Sequence, residues 1–143
     1  MFTEFLNYYL SFCKNLLRIP SNDIIKKTKV KLEIMETLET IKSQIADNTM
    51  ILYMKGSPET PHCGFSAQSV KLLDACGQPY AYVDILENPD IRATLPKYAN
   101  WPTFPQLYIK GELVGGCDII LEMYENGELK ELVKKAAEPT PES

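Results

Sequence analysis

The sequence predicts an α/β domain in which a four-stranded mixed sheet is flanked by helices, and three observations point there. A continuous apolar run, Met50 to Met54, is too short for a helix and has no polar alternate face, as expected of a central strand buried on both sides. A helical pattern and a second strand pattern follow within about 35 residues, a βαβ unit whose right-handed crossover makes the two strands parallel. Near the C-terminus two short apolar runs flank Lys110-Gly111-Glu112, which reads as an antiparallel hairpin.

In chain order, Thr37 caps a helix running to about Asp47, with Leu38, Ile41 and Ile45 on one face and Asn48 at its end. After the strand at Met50 comes a loop, and Phe65 to about Cys76 forms a helix closed by Gly77. Tyr80 to Ile85 is the second strand. Asn88 and Pro89 open a helix to about Tyr98, with Pro96 limiting its length. Gln106 to Ile109 and Leu113 to Val114 make the hairpin, and Gly115-Gly116 break the chain. Asp118 caps a helix of about Ile119 to Tyr124, and after Asn126-Gly127 a last helix runs from Glu128 to about Ala137.

The composition, 45% hydrophobic and 24% charged over 143 residues, supports one ordinary domain with a real core. Residues 35–137 form that domain, and 138–143 a disordered tail. Residues 1–34 are a basic extension, expected to be disordered or loosely helical. They carry six Lys/Arg against three Asp/Glu, while 35–143 carry nine against sixteen, a net −7. An acidic domain of this kind argues against nucleic-acid binding. The extension is too short and polar to span a bilayer. Phe2, Phe5, Tyr9, Phe12 and Leu16 could form an interfacial stripe. The composition better fits an upstream extension of the reading frame, with Met35 as the natural start. The four Cys (13, 63, 76 and 117) make no C-x-x-C pair, and His62 is the only His, so reduced thiols and a cytoplasmic compartment are expected.

The chemistry gathers at Lys55 to Ser66, K-G-S-P-E-T-P-H-C-G-F-S, which lies between the first strand and the helix that follows it. Cys63 opens that helix, where unpaired N–H groups and the helix dipole favour a thiolate. Ser66 stands where a C-x-x-C motif would have its second Cys, so Cys63 has no partner there for an intramolecular disulfide.

The C-G-F-S motif at Cys63 to Ser66, preceded by Lys55-Gly56-Ser57-Pro58, is followed by W-P-T-F-P-Q at Trp101 to Gln106 and G-G-C-D at Gly115 to Asp118. These three blocks resemble a monothiol glutaredoxin of the C-G-F-S class, most closely the short single-domain bacterial members, over about Met35 to Ala137. The resemblance implies a thioredoxin-like fold, a cis bond before Pro105, and a glutathione site. In that site Lys55 and Arg92 meet the glycine-end carboxylate, Thr103 and Phe104 the backbone of the cysteinyl part, and Gly116, Cys117 and Asp118 the γ-glutamyl end. Phe65 and Trp101 wall it. It also implies a 2Fe–2S cluster. Such a cluster takes four thiolates, and Cys63 and one glutathione from each of two subunits would supply them, making a homodimer when cluster-bound. Transfer to iron–sulfur apoproteins and pairing with a BolA-type protein follow from the same resemblance. The alternative is a glutathione-dependent thiol–disulfide oxidoreductase acting through Cys63. Cys117 is either a buried small hydrophobe or a second thiol, Cys76 is structural, and His62 faces solvent or tunes Cys63.

Overall fold

The structure is a computed structural model that describes residues 21–139. The chain divides into two compact units, residues 1–36 and 37–143. In the first, residues 21–36 are helical and residues 22–36 are exposed, Ile24, Ile25, Val30, Leu32, Ile34 and Met35 included. The stripe from Phe2 to Leu16 lies outside the described residues, as do residues 140–143 of the expected tail.

Helix α1 spans Ser21–Asp47, so the expected start at Thr37 is corrected. No Gly or Pro interrupts residues 21–47, and Lys, Glu, Leu, Ile and Met supply the helix propensity that carries the chain through Thr37. Of the extension expected to be disordered or loosely helical, residues 21–34 are described, and they are helix.

In the second unit, β1 (Met50–Met54) is followed by α2 (Gly64–Cys76), β2 (Ala81–Asp84), α3 (Pro89–Ala99), β3 (Gln106–Ile109), β4 (Glu112–Gly115), α4 (Cys117–Glu125) and α5 (Glu128–Ala137). The sheet order is β2-β1-β3-β4. β1 pairs parallel with β2, Ile51 opposite Ala81 and Met54 opposite Asp84, and antiparallel with β3. β3 and β4 form the antiparallel hairpin.

Every residue of β1 is buried because both sheet faces are covered. Met50, Leu52 and Met54 join Val70, Leu73, Leu107, Ile109, Ile120, Leu129 and Val133 beneath α2, α4 and α5. Ile51 and Tyr53 pack on the other face with Ile41 and Ile45 of α1, Ile91 and Leu95 of α3, and Tyr108. Removing a fully buried Leu such as Leu52 from such a core costs about 2–5 kcal/mol.

Further details differ from expectation. Pro96 lies inside α3 rather than limiting it; Leu95 is held in the core, and the helix closes four residues later where Asn100, at φ 50°, donates its N–H to Pro96 O. The hairpin turn has two residues, Lys110 and Gly111, at φ 49° and 83°, which matches the twist of its strands and leaves Glu112 in β4 opposite Ile109. Gly116, not Asp118, caps α4, so Asp118 occupies the first turn. Among the described residues no helix is long and apolar enough to cross a membrane.

Candidate functional site

The parallel strands β1 and β2 end side by side, and the loop that leaves β1 at Met54 leads to Cys63 at the N-cap of α2. That loop is bonded to itself. Ser57 and Thr60 exchange backbone hydrogen bonds at 3.2 and 3.1 Å, and His62 N–H donates to Lys55 O at 2.9 Å. Gly56 sits at φ 90°, and a Cβ there would come within 2.8 Å of His62 N, so the close return of the chain needs glycine.

Cys63 is half-buried and its backbone is extended, φ −146° and ψ 138°. Its thiol lies below the ordinary thiol range, first because the backbone N–H of Ser66 points at the sulfur and then through the N–H of Phe65, the charge of Lys55 and the Ser66 hydroxyl; burial opposes these. Ser66 is wholly buried, and its Oγ accepts the Lys55 N–H at 3.2 Å. The residue in the second motif position thus ties the end of β1 to the first turn of α2.

A cleft of about 650 Å³ opens beside Cys63. All the residues expected to hold glutathione line it: Lys55, Phe65, Arg92, Thr103, Phe104, Pro105, Gly116, Cys117 and Asp118, with Trp101 among them. Pro96, Pro102 and Ile119 line it as well. Lys55 comes from the end of β1 and Arg92 from α3. The Phe104–Pro105 bond is cis, as the family resemblance implied. Phe65 is 60% exposed at the mouth. Cys117 is buried, and its thiol donates to Gln68 Oε1 at 3.5 Å. Trp101 Nε1 is buried without a hydrogen-bond partner and lies beside Gly116, where a Cβ would sit 3.5 Å from it. His62 is exposed. Cys76 lies elsewhere, half-buried against the core, and burial pushes its thiol up. Cys13 lies outside the described residues.

Two residues that support the cleft were assigned no role from the sequence, Gln106 at the end of the W-P-T-F-P-Q block and Asp84 outside any motif. Gln106 is wholly buried at the start of β3; its Nε2 donates to Trp101 O at 3.0 Å and Thr103 O at 3.1 Å, while its Oε1 accepts from Tyr108 OH at 3.1 Å. The signal was a lone amide in an otherwise apolar strand, since a buried amide must find partners. Asp84 ends β2, and its Oδ1 accepts the N–H of Gly56 at 3.0 Å and of Leu86 at 2.8 Å. Among the described residues no group of three or more His, Cys, Asp or Glu side chains is gathered to hold a metal.

A sequence that folds this way, with Cys63 at a helix start beside a cleft and a cis Phe104–Pro105 bond, has similar known proteins. Glutaredoxin 4 of Escherichia coli K12 is 68% identical over 101 residues, which cover 71% of this chain and 88% of that protein. The chain belongs to the glutaredoxin family. With Cys63 and Ser66 in its motif it is a monothiol member. The glutaredoxin family model matches residues 50–114. Glutaredoxin 4 of Buchnera aphidicola from Acyrthosiphon pisum is 67% identical, over 71% of this chain and 94% of its own. Among solved structures, reduced apo GrxS14 from poplar superposes with a TM-score of 0.61 at 47% identity, over 68% of this chain and 90% of that one. The architecture of this glutaredoxin is the thioredoxin-like fold.

Proposed function

We propose that this monothiol glutaredoxin carries a 2Fe–2S cluster as cargo between two of its chains and delivers it to apoproteins. The observation that carries the reading is the single activated thiol of the motif: Cys63 is held toward the thiolate, while the second motif position is a buried serine already engaged with the backbone of Lys55. One such sulfur per chain leaves four-thiolate ligation incomplete, and two chains with two external thiols complete it.

Glutathione is the external thiol the family suggests, and the cleft suits it. An extended peptide with two carboxylates needs cations, exposed backbone groups and a helix start. Lys55 and Arg92 offer the first, Thr103 and Phe104 the second, and the first turn of α4 at Cys117 and Asp118 the third. Trp101 Nε1 is an unsatisfied donor in the same wall. When bound, glutathione supplies the remaining thiolates. Cys63 holds its own thiolate ready, Lys55 favours that charge, and Phe65 covers the mouth. Ligands that exchange suit delivery, with iron–sulfur apoproteins as acceptors, a BolA-type protein as an alternative second subunit, and a reducing, cytoplasmic compartment as the setting.

Anaerobic reconstitution with iron, sulfide and glutathione, followed by absorbance and native mass, tests this. A brown dimer that Cys63→Ser cannot form is expected. A colourless monomer, or colour retained in Cys63→Ser, overturns it.

The lowered Cys63 thiol also favours a second reading, a glutathione-dependent oxidoreductase. The thiolate attacks a protein–glutathione disulfide, the protein thiolate leaves, and a second glutathione thiolate displaces Cys63 as glutathione disulfide forms. Fast turnover of such a disulfide by the colourless protein would favour it over carriage.

A further inference from the structure

Lys55 and Arg92 reach the cleft from different elements, 37 positions apart in the chain, and a carboxylate can use both only if their backbones hold a fixed spacing. A short run of hydrogen bonds connects them. Asp84 Oδ1 accepts the N–H of Gly56, the residue after Lys55, at 3.0 Å. The backbone oxygen of the same Asp84 accepts Asn88 Nδ2 at 2.8 Å, and Asn88 O accepts the N–H of Arg92 at 3.0 Å. Asn88 makes no side-chain cap on α3, because its amide is turned back toward Asp84.

A turn after β2 would need only the Leu86 N–H, which the Asp84 carboxylate also accepts, at 2.8 Å. The bond to Gly56 spans 28 positions and serves the loop that leads to Cys63. Lys55 itself is held on both sides, its N–H on Ser66 Oγ and its carbonyl on His62 N–H. Long cationic side chains lose less freedom on binding when their stems start from fixed points.

We propose that Asp84 is a positioning residue that fixes the spacing of Lys55 and Arg92 and thereby sets the affinity of the cleft for the glycyl carboxylate of glutathione. The proposal rests on the glutathione reading above and goes further in assigning a residue outside the cleft lining to one end of the ligand.

Calorimetric titration of the full chain with glutathione and with its glycyl monoethyl ester tests it. Asp84→Ala should weaken glutathione roughly five- to tenfold while leaving the ester, which lacks that charge, within about twofold of wild type. Asp84→Asn keeps an acceptor oxygen and should restore glutathione binding. Equal loss of both ligands in Asp84→Ala, no loss, or an Asp84→Asn as weak as Asp84→Ala overturns the assignment. A wild-type protein that binds neither ligand refutes the glutathione reading itself, and the assignment with it.

Discussion

The Cys63 thiol is lowered chiefly by backbone N–H groups, which makes its behaviour separable by substitution. The foremost influence is the N–H of Ser66, which alanine retains, while the Ser66 hydroxyl is the least. Ser66→Ala should therefore leave the pH midpoint of Cys63 alkylation almost unchanged. It should still lower stability by about 1–3 kcal/mol in denaturant titration, because the N–H of Lys55 loses its acceptor. Wild-type Cys63 should be alkylated with a midpoint below the roughly 8.5 of a free thiol, and Cys76, pushed up by burial, above it. At neutral pH peptide mapping then finds the first adduct on Cys63. The sign for stability follows: the folded state holds this proton less tightly than the unfolded chain. The contribution of Cys63 is thus complete above the unfolded thiol value and declines as pH falls through the folded one.

Among the elements, the loop from β1 to α2 and the β3–β4 turn both use glycine at positive φ, but for different reasons. At Gly111 nothing lies near a new Cβ, so Gly111→Ala costs only the left-handed backbone, about 1–2 kcal/mol. At Gly56 the added carbon also meets Thr60 O and His62 N, and Gly56→Ala should cost about 1–3 kcal/mol more and slow Cys63 chemistry, as unfolding curves and alkylation rates on the same samples would reveal. Gln106→Leu should likewise lower the unfolding midpoint and weaken glutathione binding, since the carbonyls of Trp101 and Thr103 lose their shared donor. These elements were unevenly legible in the sequence. The apolar run of β1 and the Gly77 end of α2 are local patterns, and they appear where the residues say. Most of the cleft lining was legible because three short motifs carry it, with Arg92 of α3 outside them. The role of Asp84, and that of Gln106 although it closes the second motif, were not, because they lie in partners that no periodicity encodes: a backbone N–H 28 positions away, and carbonyls of an irregular loop. The start of α1 was misjudged for the opposite reason, a good local cap at Thr37 overridden by helix propensity on both sides.

At the scale of the whole molecule, the charge of the chain bears on the proposed dimer. Residues 35–143 carry a net −7, and Lys55 and Arg92 bring two cations to the cleft. A cluster bridged by four thiolates adds further negative charge where two such bodies meet. Two acidic domains brought within a few ångströms repel each other, and salt shortens the reach of that repulsion from roughly 30 Å at 0.01 M to about 8 Å at 0.15 M. Cluster-bridged dimer recovered after anaerobic reconstitution should therefore rise with salt over that range at constant glutathione. Native mass across a salt series measures it. The cleft cations pull the other way, since screening weakens their hold on glutathione, but that is a contact of one or two charges at short range and is screened less than the repulsion between whole domains. If dimer instead falls steadily with salt, the two chains meet through complementary charges, and the basic residues of 1–34, with six Lys/Arg against three Asp/Glu, become the place to look for them.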